Sequence, residues 1–287
     1  LAGRVHQGGF YRFKYDISEL VRFGRENLLE VSVAKHSENE GVNEAERRCD
    51  FWIFGGIYRP VYLEAKPKTN IGRIALDATA DGSFKMDVFL NNIYKRMELK
   101  AQLKTLSGVP VSSPFSVIVE KNQSVAFLQA FADNIQPWSP EFPNRYKIDL
   151  QLIDEINVVH EISEKFGFRT VEVRESDGIY VNGEKIMFKG VCRHSFRPNS
   201  GRSLSKQISV EDVNTIKDMN MNAVRMSHYP PDIHFLDACD SLGLFVLDEL
   251  AGWQTSYDTK VGSILAQEMI ERDINHPSVV VWDNGNE

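Results

Sequence analysis

Four short stretches of the sequence end in side chains that can do chemistry. They are Cys192–Arg193–His194; Arg225, Ser227, His228 and Tyr229; Asp248–Glu249 with Gly252 and Trp253 just beyond; and Asn284, Asn286 and Glu287. Carboxylates can move protons, amides and imidazoles can bind hydroxyl groups, and an indole face can lie against a sugar ring. Each has a plainer reading. An isolated His or Arg at a strand end is commonly a structural hydrogen bonder, Asp248–Glu249 could cap the next segment, and Trp253 and Trp282 could be core. Four independent strand ends bearing such groups favour a shared site. His194, His228 and Glu287 lack diagnostic ligand spacing, so no metal is expected. No GxGxxG or GxxxxGK phosphate loop and no GxSxG elbow occurs, so no cofactor is expected either. The inventory suits neutral sugar chemistry, with a carbohydrate as the partner.

Such groups need a scaffold that brings strand ends to one rim. After Phe166 the apolar runs IMFKGV, NAVRM, LFVLD and VVVW alternate with helical patterns. Ser209, with Asp212 three residues on, reads as the N-cap of a first helix continued by Val213, Ile216 and Met219. Ile233, Leu236, Cys239 and Leu242 mark a second, closed by Gly243, and Ser263 to Asn275 a third. Strands and helices in alternation imply parallel βα units, whose active sites lie at the C-terminal strand ends. A closed barrel takes about 250 residues. Residues 172–287 therefore read as the first half of a (β/α)₈ TIM barrel, with Val279 to Trp282 buried on both faces.

Upstream, YRFKYDIS, LLEVSVAKH and FWIFGGIYRPVYLEA look like strands, SENEGVNEAERRCD between them like a surface loop, and Pro67 to Asn70 like a linker. From Ile71 to about Ile153 strand follows strand, with Asp81–Gly82 as a hairpin turn, which suggests a small β-sandwich. The chain of 287 residues carries a net charge of −7 and shows no basic stripe, which disfavours nucleic acid and anionic membrane as partners. No apolar run approaches the roughly 18 residues that span a bilayer. Cys49, Cys192 and Cys239 are too scattered for a disulfide framework and read as small core residues. The opening LAGRVHQGGF has no initiator Met and reads as mid-protein, so the compartment stays open between cytoplasmic and periplasmic or secreted.

Taken together, Asn286–Glu287 at the end of HPSVVVWDNGNE, NGEKIMFKGVCRH, NAVRMSHYP and DSLGLFVLDE resemble the motifs of glycoside hydrolase family 2, the β-galactosidases, β-glucuronidases and β-mannosidases. CDFWIFGGIYRPVYLEA is similar to the end of that family's jelly-roll sugar-binding domain, and WSPEFPNRYKIDLQL to the end of its immunoglobulin-like domain. The resemblance implies a multidomain β plus α/β chain: 1–67 the C-terminal part of a jelly-roll β-sandwich, 68–171 an immunoglobulin-like β-sandwich, and 172–287 the N-terminal half of the catalytic barrel. It implies Glu287 as the general acid/base and Asn286 as the amide bonded to the sugar 2-hydroxyl. Arg193, His194, Arg225 and His228 would line the glycone subsite, with Asp50 reaching the barrel mouth and Glu249 and Trp253 beside it. The implied reaction is retaining exo-β-glycoside hydrolysis. β-Galactoside comes first among substrates, then β-glucuronide or β-mannoside, with a non-catalytic carbohydrate-binding relative as the alternative and a homo-oligomer allowed for the complete protein.

The sequence also departs from the family. Asp248–Glu249 is followed by LAGWQTSYD rather than by a metal-binding Glu-Thr-His-Gly stretch, and Ser195 stands where many β-galactosidases carry a glutamate. A retaining hydrolase needs a second carboxyl about 5–5.5 Å from the first, expected on a later barrel strand beyond Glu287. The 287 residues alone are expected to expose an unpaired strand edge, to aggregate, and to give no turnover of an aryl glycoside. Detectable hydrolysis by the purified chain would overturn this.

Overall fold

The architecture comes from a computed structural model that describes residues 2–286. Residues 2–69 contain one regular element, helix α1 (Glu40–Arg47), and no strand among the described residues. The three expected strands and the jelly-roll layer they would build are therefore not formed. An extended segment becomes a strand only when a neighbour accepts its backbone bonds, and no described residue does so here. Leu29, Val31 and Leu63 are left exposed. The stretch expected to be a loop instead supplies α1. Asn39 caps it by accepting from Val42 N at 3.1 Å, and Val42, Ala45 and Glu46 are buried on one face.

Strands follow in chain order as β1 (Asn70–Ala78), β2 (Ser83–Asn91), β3 (Met97–Thr105), β4 (Phe115–Val119), β5 (Val125–Phe131), β6 (Tyr146–Asp154) and β7 (Asn157–Phe166). They form two antiparallel sheets, ordered β1-β2-β5 and β4-β3-β6-β7. Period-two alternation turns Phe84, Met86, Val88 and Leu90 of β2 toward Leu99, Leu103, Ile148 and Leu150 of the facing sheet. Each such side chain contributes about 1.5–3 kcal/mol by leaving water. The β1–β2 turn falls at Asp81–Gly82 as read. Gly82 has φ +93°, and a Cβ there would meet Ala132 O at 2.3 Å.

A small antiparallel sheet, which the sequence patterns did not suggest, comes next: β8 (Val171–Arg174), β9 (Gly178–Val181) and β10 (Glu184–Lys185). The βα units then run β11 (Gly190–Arg193), α2 (Lys206–Asp218), β12 (Ala223–Met226), α3 (Ile233–Leu242), β13 (Phe245–Glu249), α4 (Thr259–Asp273) and β14 (Val279–Asp283). The four strands are parallel and adjacent in sequence order. Ser205, not Ser209, caps α2, accepting from Ile208 N at 3.3 Å, while Ser209 is buried inside the helix and bonds His234. Asp258 caps α4, which begins at Thr259, four residues before the expected Ser263. β14 is an edge strand, so only its Val279 is fully buried and Trp282 is 40% exposed, against the expectation of two covered faces. Of the cysteines Cys239 alone is buried; Cys192, on the other edge strand, is exposed, and all three are free thiols. No helix among the described residues is long and apolar enough to cross a membrane.

The sandwich grips the N-terminal end of this parallel sheet. Trp138 is fully buried and donates Nε1 to Asp240 O at 2.8 Å, and Arg169 donates to Pro277 O at 2.6 Å and Val279 O at 2.8 Å. Asp240 itself accepts from His276 Nδ1 at 2.6 Å and from Ser278 N and Oγ at 3.1 and 2.6 Å. Burial works against the imidazolium, but Asp240 outweighs it and raises the His276 pKa to about 9. An unfolded histidine titrates near 6.5. The stabilisation is thus complete below about pH 6.5 and is lost as pH rises through about 9. Urea unfolding at pH 6.5 and 9 should differ by roughly 3 kcal/mol, and His276→Gln should flatten that difference.

Candidate active site

Parallel pairing brings the C-terminal ends of β11 to β14 to one rim, and the side chains there are tied across strands. Alternation along β13 sends Asp248 inward under α4 and Glu249 to the rim, both fully buried. Burial first, and then the neighbouring Asp273, push the Asp248 pKa well above the usual carboxylate range. This favours its neutral form beside Asp273, which Arg272 pairs at 2.5 Å. The doublet is no cap: one carboxyl serves the core and the other the site.

Glu249 sits between Arg225 of β12 and His228 just beyond that strand. Arg225 Nε lies 2.9 Å from Oε2 and His228 Nδ1 lies 2.9 Å from Oε1. The guanidinium extends to β14, with Nε 3.0 Å from Asp283 Oδ2 and Nη1 3.1 Å from Asn286 Oδ1. Burial disfavours the Arg225 charge, yet Glu249 and Asp283 hold its pKa above the ordinary value. Arginine only donates, so the amide oxygen of Asn286 faces it. The Asn286 backbone is held as well. Its N–H donates to Gly252 O at 2.8 Å and its carbonyl accepts from Gln254 N at 3.0 Å, pairing it with Trp253. The indole ring lies 5.2 Å from that of His228. The Ser227–His228 peptide is cis.

His194, after β11, completes the cluster. Its ring is 5.4 Å from His228 and 5.4 Å from Phe51, and Tyr229 OH is 3.4 Å from its Nδ1. Tyr229 OH also accepts from Ser195 N at 3.1 Å. Burial, and then the nearby His228 and Arg202, lower the His194 pKa to about 4, although the exposed Asp50 pulls the other way. The imidazole is thus neutral at pH 7, able to donate and accept with a hydroxyl. Arg202 stands 4.2 Å over Tyr229, 4.9 Å from Phe10 and 5.2 Å from Phe51, and donates to Trp52 O at 3.0 Å. Residues 2–69 also reach the rim through Tyr257 OH, which donates to buried Glu46 at 2.6 Å.

The structure therefore brings together His194, Arg225, His228, Glu249, Trp253 and Asn286, with Asp50 at the periphery. Arg193 is turned away. It pairs with Asp212 at 2.7 Å, stacks 3.9 Å over Phe235 and is 8% exposed, so it ties β11 to α2 and α3. Glu287 lies outside the described residues. Tyr229, read at the end of the second strand, joins them, and Asp283, Phe51 and Arg202 belong to the cluster without having been singled out. Tyr229 and Asp283 are signalled by following strands, Phe51 only by its place beside Asp50, and Arg202 by nothing local. Among the described residues the one group with metal-ligand spacing is Asp237, Asp240 and His276, which lies at the opposite end of the sheet.

The family profile described as "Glycosyl hydrolases family 2, TIM barrel domain" matches residues 171–287, and that described as "Glycosyl hydrolases family 2" matches residues 71–169. The chain belongs to glycoside hydrolase family 2. A β-galactosidase of Thermoanaerobacter pseudethanolicus is 32% identical over 96% of this chain and 38% of its own length. A putative β-glucuronidase of Formosa agariphila is 30% identical over 98% of the chain and 35% of its own length. A solved family 2 member from Bacteroides cellulosilyticus superposes with TM-score 0.82 at 27% identity, covering 96% of this chain and 39% of that one. The chain thus spans well under half the length of the family 2 relatives it matches.

Removing the guanidinium strands a buried carboxylate, which costs about 3–5 kcal/mol where such a pair is broken. Arg225→Met should lower stability by roughly 3 kcal/mol in urea unfolding, and adding Glu249→Gln should recover a large part of it. A double variant no more stable than the single one would show that the pair does not carry the rim.

Proposed function

We propose that the protein containing this chain is a retaining exo-β-glycosidase whose first substrate class is β-galactosides. The observation that carries the reading is the Arg225 guanidinium, which joins Glu249, Asp283 and Asn286 across three strand ends. In this reading Asn286 donates to the sugar 2-hydroxyl, a bond that tightens as the ring becomes oxocarbenium-like. Neutral His194 meets a further hydroxyl, as does His228, and Trp253 offers its ring face to the pyranose. Glu287 protonates the glycosidic oxygen and then takes the proton from the attacking water. Glu249 and Asp283 are both engaged by Arg225, so the nucleophilic carboxylate comes from a later strand of the barrel. Residues 68–171 act as the immunoglobulin-like support and 172–287 as the first half of the catalytic barrel. The family 2 relative named a putative β-glucuronidase makes β-glucuronides the second substrate class.

In the enzyme that contains this chain, Glu287→Gln should slow poor leaving groups at least 100-fold, consistent with the usual contribution of acid catalysis. Activated aryl glycosides should lose far less in the glycosylation step. Equal loss on both would remove the acid/base role. A panel of aryl β-galactoside, β-glucuronide, β-mannoside and β-glucoside then ranks the sugars.

A further inference from the structure

A cleft of about 550 Å³ opens well away from the rim, between residues 4–15, the β1-β2-β5 sheet and α4. In a chain of net charge −7, five basic and two acidic side chains line it. Arg73 is paired with Glu271 at 3.0 Å, Arg272 with Asp273 at 2.5 Å and Lys14 with Glu64 at 3.6 Å. Arg4 and Arg12 have no ion-pair partner among the described residues. The cleft is thus an electropositive spot on an acidic molecule, the kind of surface that draws and holds a small anion.

Its wall has two further properties. His6 stacks on Phe13 at 4.2 Å, and Phe13 meets Tyr15 edge-on at 5.5 Å, which makes an aromatic tier with Phe13 half exposed. Buried in the same wall, His6 Nε2 and Glu268 Oε2 have no hydrogen-bond partner among the described residues, and the pair's other atoms stand 3.9 Å apart. Buried polar atoms rarely go unmatched, so they call for a ligand group that both donates and accepts. Burial lowers the His6 pKa to about 4, while burial and Glu271 raise that of Glu268 to about 7. A positive mouth, a ring platform and two unmatched polar atoms together describe one ligand chemistry.

We propose that this cleft is a second binding site, separate from the rim, for a pyranose carboxylate, that is, a uronic acid residue. Arg4 and Arg12 take the carboxylate, with guanidinium forks matched to its two oxygens. The ring face rests on Phe13, and a ring hydroxyl reaches His6 Nε2 and Glu268 Oε2. A neutral hexose lacks the charge that Arg4 and Arg12 read, and an aryl carboxylate lacks the hydroxyl. The inference does not depend on the chemistry of the rim.

The test is titration of the complete protein that contains this chain with galacturonate, galactose and benzoate. It is followed by calorimetry and by the His6 ring signal in NMR spectra. Galacturonate should bind saturably and move the His6 signal with the same dissociation constant. Arg12→Glu, at an exposed position, should weaken it at least tenfold, and His228→Ala at the rim should leave it unchanged. Galactose binding as tightly would show that the charge is not read. Benzoate binding as tightly would show that the hydroxyl is not read. Loss of galacturonate binding in His228→Ala, or a stationary His6 signal, would place the sugar elsewhere, and each of these results overturns the proposal. Phe13→Ala gives a second variant if Arg12→Glu is poorly folded, and an affinity unchanged by it also overturns the proposal.

Discussion

The rim depends on a single fully buried carboxylate. Glu249 has no access to water, and a buried carboxylate persists only with partners held against it, here Arg225 and His228 from the neighbouring strand and its exit. Arg225, placed there, shares its Nε between Glu249 and Asp283 of β14 and donates Nη1 to Asn286. One desolvated charge thus orders side chains from three strands.

Residues 2–69 complete the rim from outside the parallel sheet, despite carrying no strand among the described residues. Glu46 is buried against Tyr257, Phe10 stacks on Tyr229 at 4.3 Å, and Phe51 faces both rim histidines. Arg202 enters this aromatic group as a cation held by ring faces rather than by a carboxylate. Its charge adds to burial in keeping the His194 ring neutral. A histidine in that state presents one donor and one acceptor, the complement of a sugar hydroxyl.

Much of this was legible in the sequence because two periods were strong. The alternation in SFKMDVFLN and YKIDLQLID defines the sandwich, and the runs before His194, His228, Glu249 and Asn286 locate all four parallel strands and their shared rim. What stayed hidden was long-range. Arg193 looks like Arg225 in the sequence, and only the position of Asp212 on α2 turns it away from the site. The jelly-roll strands read in residues 1–67 depend on neighbours that local alternation cannot supply. Helix α1 was hidden because its one apolar face is short and set in a run of charge. Arg202 carries no local signal, since what marks it is a set of rings contributed by residues 10, 51 and 229.

The sandwich holds the parallel sheet at the end where strands begin, through Trp138, Arg169 and the Asp240 cluster, while the polar groups gather where strands finish. Cohesion and chemistry are therefore carried by opposite ends of the same strands. Substitutions that reshape the loops after β12, β13 and β14 leave the domain junction untouched, and changes at the junction leave the rim's polarity intact. Such a division lets the loops at the rim vary without first rebuilding the body that carries them.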